Sequence, residues 1–233
     1  MDLTRILMVL TSSDRMGKSP DPTGFWLEEF AAPYYVFTDT RSVVTVASPR
    51  GGKAPIDAKS LEQSAQSAST RRYEADIVAQ AKLEHTLKLS SLHAAEYDAL
   101  FFAGGHGTMD DFATDDSVKS MVEAFTQAGK PVAAVCHGPA ALVRALKKNG
   151  DPLIKGRKFT CFTDKEETMI GLHTKVPFML ESTLVELGGK SENADAWASH
   201  VVIDGTLITG QNPASSIATA EAVIHQLRQK IAA

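Results

Sequence analysis

The sequence predicts a single α/β domain in which helices cover both faces of a mostly parallel sheet. Several short segments are continuously apolar, as expected for strands that are buried on both faces. Segments with helical periodicity separate these strands, and this alternation indicates βαβ units. The chain has 233 residues, of which 43% are hydrophobic, so one large domain can bury a core.

The predicted strands are apolar runs that end at polar residues, glycines or prolines. The four strands assigned to the parallel sheet are residues 6–10, 42–52, 97–107 and 130–138, with 157–164 as a fifth candidate. Residues 199–210 differ, because Asp204-Gly205 stands between two β-branched runs. That dipeptide predicts a hairpin turn.

Helical periodicity predicts helices over residues 115–128, 139–147 and 176–188. The last helix has the clearest start, because Asn212 can cap it and Pro213 fits its first position. Its expected buried stripe consists of Ile217, Ala220, Ile224, Leu227 and Ile231. Residues 52–96 are more polar and less regular, and we interpret them as an insertion with some helix within one domain spanning 1–233.

Composition excludes several classes of function. The net charge is −4 and the chain has no basic stripe, so we expect no nucleic-acid partner. No apolar stretch approaches the roughly 18 residues of a membrane span, so we expect no membrane association. Two cysteines, at positions 136 and 161, do not form a secreted disulfide framework. These features predict a soluble, cytoplasmic protein.

Cys136 stands where the strand at 130–138 ends and the predicted helix at 139–147 begins. Ligands of doubly wound sheets bind at this end of the strands, and a helix N-terminus lowers the pKa of a thiol. Gly138 permits a sharp turn. We therefore interpret Cys136 as a reactive nucleophile, although a free cysteine is more often a small buried hydrophobe. That second interpretation applies to Cys161, which lies inside a strand pattern.

A glycine loop, "AGGHGTMDDF" at 103–112, follows another strand. Gly104, Gly105 and His106 are candidates for binding a substrate or an oxyanion, because glycines let backbone N–H groups approach closely. The loop lacks the G-x-G-x-x-G fingerprint of dinucleotide sites. A plain turn without a ligand is an equally good interpretation from spacing alone.

Histidines offer proton partners for the thiol. His137 adjoins Cys136, and its backbone N–H is a natural oxyanion donor. His106 and His173 lie in loops that can reach a pocket, whereas His85, His93 and His225 are expected at the surface. Their spacing shows no metal-ligand pattern, so we expect no metal.

Glu28 and Glu29 lie in the apolar segment "TGFWLEEFAAPYYVF". A carboxyl group buried there has a raised pKa and can exchange protons with a thiol or a substrate. Periodicity does not decide between the two glutamates, and both can instead extend to solvent.

Five motifs together resemble the ThiJ/PfpI superfamily, and within it the heat-shock glyoxalase III branch. They are "TGFWLEEFAAP", "FFAGGHGTMDDF", "AAVCHGPAAL", "CFTDKEET" and "ITGQNPASS". The resemblance covers nearly the whole chain, and the adjacent Cys-His is its strongest part. The chain departs from class I glutamine amidotransferases, because Ala134 replaces the first glycine of their G-x-C-x-G motif.

The resemblance implies a flavodoxin-like three-layer sandwich, a homodimer and no cofactor. It places the nucleophile on Cys136, the adjacent histidine on His137, and an acid that orients it on Glu167. It places the carboxyl group that touches the thiol on Glu29, and oxyanion N–H groups on Gly105 and His137.

The activity that the resemblance implies is conversion of methylglyoxal, a small aldehyde, to lactate without glutathione, or a related deglycase reaction. One alternative is a stress-response chaperone with unfolded-protein clients, or a redox sensor with an oxidisable Cys136. A second is a cysteine peptidase or other hydrolase using Cys136, His137 and Glu167.

Overall fold

The computed structural model describes residues 3–17 and 19–232. Seven strands form the central sheet in the order β10-β11-β7-β6-β1-β4-β5. These strands are β1 (Arg5–Val9), β4 (Val43–Ser48), β5 (Leu87–Lys88), β6 (Ala99–Phe102), β7 (Val132–Val135), β10 (Val201–Asp204) and β11 (Leu207–Gly210). Only β10 runs antiparallel to its neighbour within this sheet. Two small sheets pair β2 (Arg15–Met16) with β3 (Ser19–Pro22), and β8 (Lys158–Phe159) with β9 (Lys190–Ser191).

Helices cover both faces of the central sheet, which confirms the predicted fold class. The helices are α1 (Leu27–Asp39), α2 (Ala68–Glu74), α3 (Ile77–Glu84), α4 (Thr108–Asp111), α5 (Asp116–Gln127), α6 (Asp164–Met169), α7 (Leu180–Glu186) and α8 (Ser216–Ala232). None of these described helices is long and apolar enough to cross a membrane.

Alternate residues of β1 supply two separate cores. Ile6 and Met8 pack with α1, α3 and α8 on one face, whereas Leu7 and Val9 pack with α5 and α7 on the other. Because a strand with helices on both sides exposes neither face, its sequence is continuously apolar. This explains why the strands β1, β6 and β7 could be predicted from their composition.

The hairpin and the helix at 115–128 match their predictions. β10 and β11 pair antiparallel around Asp204 to Leu207, and Asp115 caps α5 through the N–H groups of Ser117 and Val118. Residues 52–96 contain α2, α3 and short 3₁₀ turns, and β5 extends the sheet edge parallel to β4.

The predicted helix at 139–147 is wrong. The chain forms a five-residue 3₁₀ helix, Gly138–Leu142, and then turns away. Residues 151–153 pair with backbone groups that would otherwise bond within an α-helix. Leu153 N–H donates to Ala145 O at 2.8 Å, and Lys147 N–H donates to Asp151 O at 2.8 Å. Cys136 therefore does not precede a regular α-helix.

Three further predictions need correction. The fifth candidate strand shrinks to β8, which pairs with β9 outside the central sheet, so Cys161 lies beyond the strand. The helix predicted at 176–188 begins only at Leu180. Ile217 is 46% exposed, whereas Ala220, Ile224 and Leu227 are buried as expected; the side chain of Ile231 lies outside the described residues.

Candidate active site

Cys136 sits at the end of β7 in a left-handed backbone conformation, with φ of 58°. A non-glycine residue is strained there, and such strain is typical of a nucleophile on a sharp strand-to-helix turn. Neighbouring elements hold the turn, because Cys136 N–H donates to Gly210 O at 2.9 Å and Phe162 N–H donates to Cys136 O at 2.8 Å. Gly138 is required next, since a Cβ atom there would lie 2.6 Å from Phe102 O.

The environment of the thiol corrects one expectation from the sequence. Burial raises the pKa of Cys136, and the Glu29 carboxyl raises that pKa further, while the His137 N–H opposes both. The short 3₁₀ helix offers too few aligned peptide dipoles to reverse the effect of burial. The resting sulfur is therefore a buried thiol, 3% exposed, and must be deprotonated to react.

Glu29, on the first turn of α1, is the glutamate that reaches the thiol. Its Oε2 atom accepts the Gly104 N–H at 2.7 Å. Burial raises the pKa of Glu29 to about 8, although a hydrogen bond from Cys136 acts to lower that pKa. Its buried Oε1 atom makes no well-formed hydrogen bond within the described part of the chain. Glu28 instead accepts a hydrogen bond from the hydroxyl of Ser67, the residue that caps α2.

Gly104 and Gly105 have different surroundings. The Gly104 N–H is occupied by Glu29, so it cannot also bind an oxyanion as the sequence had suggested. Gly105 has φ of 100°, a conformation that favours glycine. Its N–H has no acceptor within the described residues and remains a candidate oxyanion donor.

Glu167, in α6, bridges two imidazole rings. Its Oε2 atom lies 2.7 Å from His137 Nε2, and its Oε1 atom lies 2.8 Å from His106 Nε2. The other ring nitrogen of His137, Nδ1, lies 3.3 Å from Cys136 Sγ. The structure therefore brings together the thiol, His137 and Glu167 as one chain of contacts, and adds His106 to it. His173 is exposed and takes no part in these contacts.

The protonation states follow from burial and from these bonds. Burial, followed by the proximity of His106, lowers the pKa of His137 to about 4, so the ring is neutral at pH 7. Burial alone would raise the pKa of Glu167, but hydrogen bonds from His106 and His137 outweigh it and hold that pKa well below its usual range. A neutral imidazole oriented by a carboxylate can accept the thiol proton.

A cavity of about 550 Å³ lies beside the site. Its walls come from the β2–β3 hairpin, from residues 57–59 and from the 170–175 loop. His106, which contacts Glu167 in the site, lines this cavity. Trp26, Ile170 and Leu172 line it as well. Cys136, His137 and Glu29 do not line this cavity, so His106 is the point at which the cavity meets the site.

Glu166 is a buried residue that the sequence analysis did not single out. Its Oε1 atom accepts the Trp197 N–H at 2.8 Å and the Asn212 side-chain amide at 2.9 Å. Its Oε2 atom completes a capping box with Thr163 at the start of α6. The Thr-x-x-Glu spacing in "TDKE" is the sequence signal that could have revealed it.

His106, His137 and Glu167 also form a group of potential metal ligands, because one ligand atom from each lies within 4.8 Å of the others. The three residues are separated by about thirty positions each, so sequence spacing could not show the group.

The family model for the DJ-1/PfpI family matches residues 23–226, most of the chain. The chain belongs to the DJ-1/PfpI family. The resemblance to ThiJ/PfpI proteins that the motifs indicated is thus confirmed, and so is the flavodoxin-like three-layer fold that it implied.

Two comparisons match this chain over nearly its whole length. Glyoxalase 3 of Candida albicans is 29% identical over 95% of this chain and 98% of that protein. The crystal structure of glyoxalase III from Candida albicans superposes with a TM-score of 0.87 at 28% identity, covering 95% of this chain and 96% of that chain.

Two further comparisons give higher identities. Glutathione-independent glyoxalase HSP31 of Saccharomyces cerevisiae is 36% identical over 59% of this chain and 60% of that protein. Rapid Encystment Protein 24 kDa of Francisella tularensis superposes with a TM-score of 0.92 at 38% identity, covering 97% of this chain and 99% of that chain.

Proposed function

We propose that this DJ-1/PfpI protein is a glutathione-independent glyoxalase that converts methylglyoxal to lactate, with Cys136 as the nucleophile. The observation that carries the proposal is the placement of one thiol between two proton-transfer groups. His137 Nδ1 lies 3.3 Å from the sulfur, and the Glu29 carboxyl, with its pKa near 8, contacts the sulfur from α1. The glyoxalases among its relatives support the same chemistry.

The first step is addition of the Cys136 sulfur to the aldehyde carbon, C1. His137 takes the thiol proton and Glu29 gives its proton to the aldehyde oxygen, so a neutral hemithioacetal forms beside an imidazolium and a carboxylate. Glu167 stabilises the imidazolium through the 2.7 Å contact. The Gly105 N–H is the proposed donor to the developing oxyanion.

The second step moves hydrogen from C1 to C2. The Glu29 carboxylate removes the C1 proton, and His137 protonates the ketone oxygen, giving an enediol. Glu29 then delivers its proton to C2 and takes the proton from the C1 hydroxyl, which leaves a thioester. Carbon C1 is oxidised and C2 is reduced within the same molecule, so no external redox partner is required.

The last step is hydrolysis of the thioester by one water molecule, which releases lactate and returns the proton to the sulfur. A carboxyl group with a pKa near 8 suits this sequence, because it is protonated before addition and is a strong base after giving up its proton. No step requires glutathione or another cofactor.

Burial of Cys136 weighs against a redox sensor and against a peptidase. A redox sensor requires an accessible cysteine with a low pKa, whereas Cys136 is 3% exposed and its pKa is raised. A peptidase must admit a polypeptide to the nucleophile, whereas Cys136 is buried and does not line the neighbouring cavity.

The experiment measures lactate formed from methylglyoxal without glutathione. Cys136→Ala and Glu29→Gln should abolish turnover. Cys161→Ala is the control for removal of a buried thiol, and Glu28→Gln is the control for the neighbouring carboxyl; both should retain turnover. Absence of turnover by the wild-type protein would reject the proposal, and turnover by Cys136→Ala would reject the nucleophile.

A further inference from the structure

Three segments that are distant in sequence bring two imidazoles and one carboxylate to a single point. His106 follows β6, His137 follows β7, and Glu167 lies in α6. Both Nε2 atoms face the carboxylate, at 2.8 Å and 2.7 Å. The proposed glyoxalase chemistry uses the Glu167–His137 contact but assigns no role to the bond between Glu167 and His106.

This ligand set is one that zinc accepts. Zinc binds histidine nitrogen and carboxylate oxygen, and open sites hold it with three protein ligands and leave a fourth position free. Zinc bonds of about 2.0–2.1 Å place neighbouring tetrahedral ligands about 3.3 Å apart. The observed nitrogen–oxygen separations of 2.7–2.8 Å would have to open by about 0.5 Å. Side-chain rotation can supply a change of that size without moving the backbone.

The surroundings would hold the ligands and admit the ion. The rings of His106 and His137 pack with their centroids 4.1 Å apart, and the Phe162 ring packs against both, at 4.5 Å from His137 and 6.2 Å from His106. The Thr163–Glu166 capping box fixes the first turn of α6, from which Glu167 projects. His106 lines the cavity of about 550 Å³, so an ion can reach the group from solvent.

Metal binding would change the hydrogen bond to the nucleophile. An ion on Nε2 of a neutral histidine requires the ring proton to sit on Nδ1. In His137, Nδ1 is the atom that lies 3.3 Å from Cys136 Sγ. With a proton already there, His137 can no longer accept the thiol proton.

From this geometry we infer that His106, His137 and Glu167 form an inhibitory zinc site, in which Zn²⁺ binds both Nε2 atoms and the Glu167 carboxylate and blocks proton transfer from Cys136. The ring protons move from Nε2 to Nδ1, and no electron transfer is involved. The inhibitory effect rests on the proposed function, whereas the binding of zinc does not.

Zinc binding is measured first, without substrate. The full chain is stripped with a chelator and dialysed against micromolar Zn²⁺, and bound metal is counted by atomic absorption. Wild type should bind one equivalent. His106→Gln and Glu167→Gln should each lower the affinity for zinc by about tenfold or more, because mutation of a residue that only hydrogen-bonds to a metal ligand already lowers metal affinity by that factor. His93→Gln is the control, because His93 is exposed and is not a member of the group.

Two measurements identify the ligands. Co²⁺ bound in place of Zn²⁺ should give the intense visible bands of a tetrahedral site, and these should vanish in His106→Gln. Cys136→Ala should retain the metal, whereas its loss would place the ion on the thiolate and overturn the assignment. Circular dichroism of each variant shows that it has folded, and zinc should raise the melting temperature of wild type but not of His106→Gln.

The inhibitory effect is tested separately. Micromolar Zn²⁺ should suppress lactate formation by wild type, and chelation should restore it. Turnover without zinc binding would reject the zinc site alone, whereas zinc binding without any methylglyoxal turnover would reject the glyoxalase assignment alone. No uptake by wild type, or uptake unchanged in both His106→Gln and Glu167→Gln, would overturn the inference.

Discussion

The carboxyl group of Glu29 accepts the backbone N–H of Gly104 at 2.7 Å, across 75 residues of sequence. This bond joins the first turn of α1 to the loop that follows β6, beside the Cys136 turn. Backbone atoms surround Gly104 closely, and they leave no room for a side chain between the acid and the turn.

Gly104→Ala should therefore be destabilising. The new Cβ would lie 2.5 Å from Glu29 Oε2, 2.6 Å from Val135 O and 2.7 Å from His137 N. Overpacking of this kind lowers the free energy of unfolding by about 1–3 kcal/mol, measured by urea denaturation. Gly150→Ala is a control for a methyl group that meets open space, although its positive φ adds a cost of about 1 kcal/mol. Equal stability of Gly104→Ala and wild type would contradict the described packing.

Glu29 should make stability depend on pH. Burial raises its pKa from 4.5 to about 8, so between these values the folded protein keeps a proton that the unfolded chain releases. The stabilisation from this proton is fully present below pH 4.5 and is lost as the pH rises through 8. As the pH rises from 4.5 to 8, the free energy of unfolding of wild type should fall relative to that of Glu29→Gln.

Urea unfolding at several pH values between 5 and 8.5 measures this difference. Subtracting one protein from the other removes common contributions, including that of Asp111, whose pKa burial also raises, to about 7. Glu186→Gln, which changes an exposed carboxyl, should run parallel to wild type. A pH-independent difference for Glu29→Gln would show that the folded-state pKa is not raised.

The backbone conformation of Cys136 predicts an inverted preference between alanine and glycine. At φ of 58°, a Cβ atom costs about 1 kcal/mol, so Cys136→Gly should be at least as stable as Cys136→Ala. At the buried Cys161, which is not among the residues with positive φ, glycine should be less stable than alanine, since glycine loses more backbone entropy on folding. The two pairs are compared by thermal unfolding, and the same order at both positions would argue against a strained turn.

Glu166→Gln should loosen the segment that carries Trp197. Glu166 Oε1 accepts from the Trp197 N–H, from Asn212 and from Gln211. Its Oε2 atom accepts from the Thr163 N–H, so the amide N–H₂ group of a glutamine would face a donor in either orientation. Leaving buried donors unpaired costs about 1–3 kcal/mol. Hydrogen exchange at the Trp197 amide should accelerate, while Glu221→Gln on an exposed face of α8 should leave it unchanged.

The sequence predicted the sheet well because burial on both faces leaves a strong compositional signal. Strands β6 and β7 are apolar at every position, and β1 is apolar from Ile6 to Val9. The Asp204-Gly205 turn marks the antiparallel hairpin. The helix at 139–147 was mispredicted because its apolar spacing is helical, while tertiary hydrogen bonds from residues 151–153 decide its backbone.

The candidate site was predicted in part. Motif resemblance indicated Cys136, His137, Glu29 and Glu167, and the structure places these residues together, although their catalytic roles remain a proposal. The raised pKa of the thiol and the bond between His106 and Glu167 could not be predicted, because both depend on three-dimensional packing between distant segments. Glu166 had a local signal in its capping box, which indicates a helix start but not its contact with Trp197.

The acid beside the sulfur comes from a helix near the amino terminus, whereas the sulfur lies on the turn after β7, more than a hundred residues later. Neither half of the polypeptide contains both groups. Reactivity at Cys136 thus reports that the two halves have docked correctly, and a catalytic assay during refolding would time the completion of the native topology rather than the appearance of secondary structure.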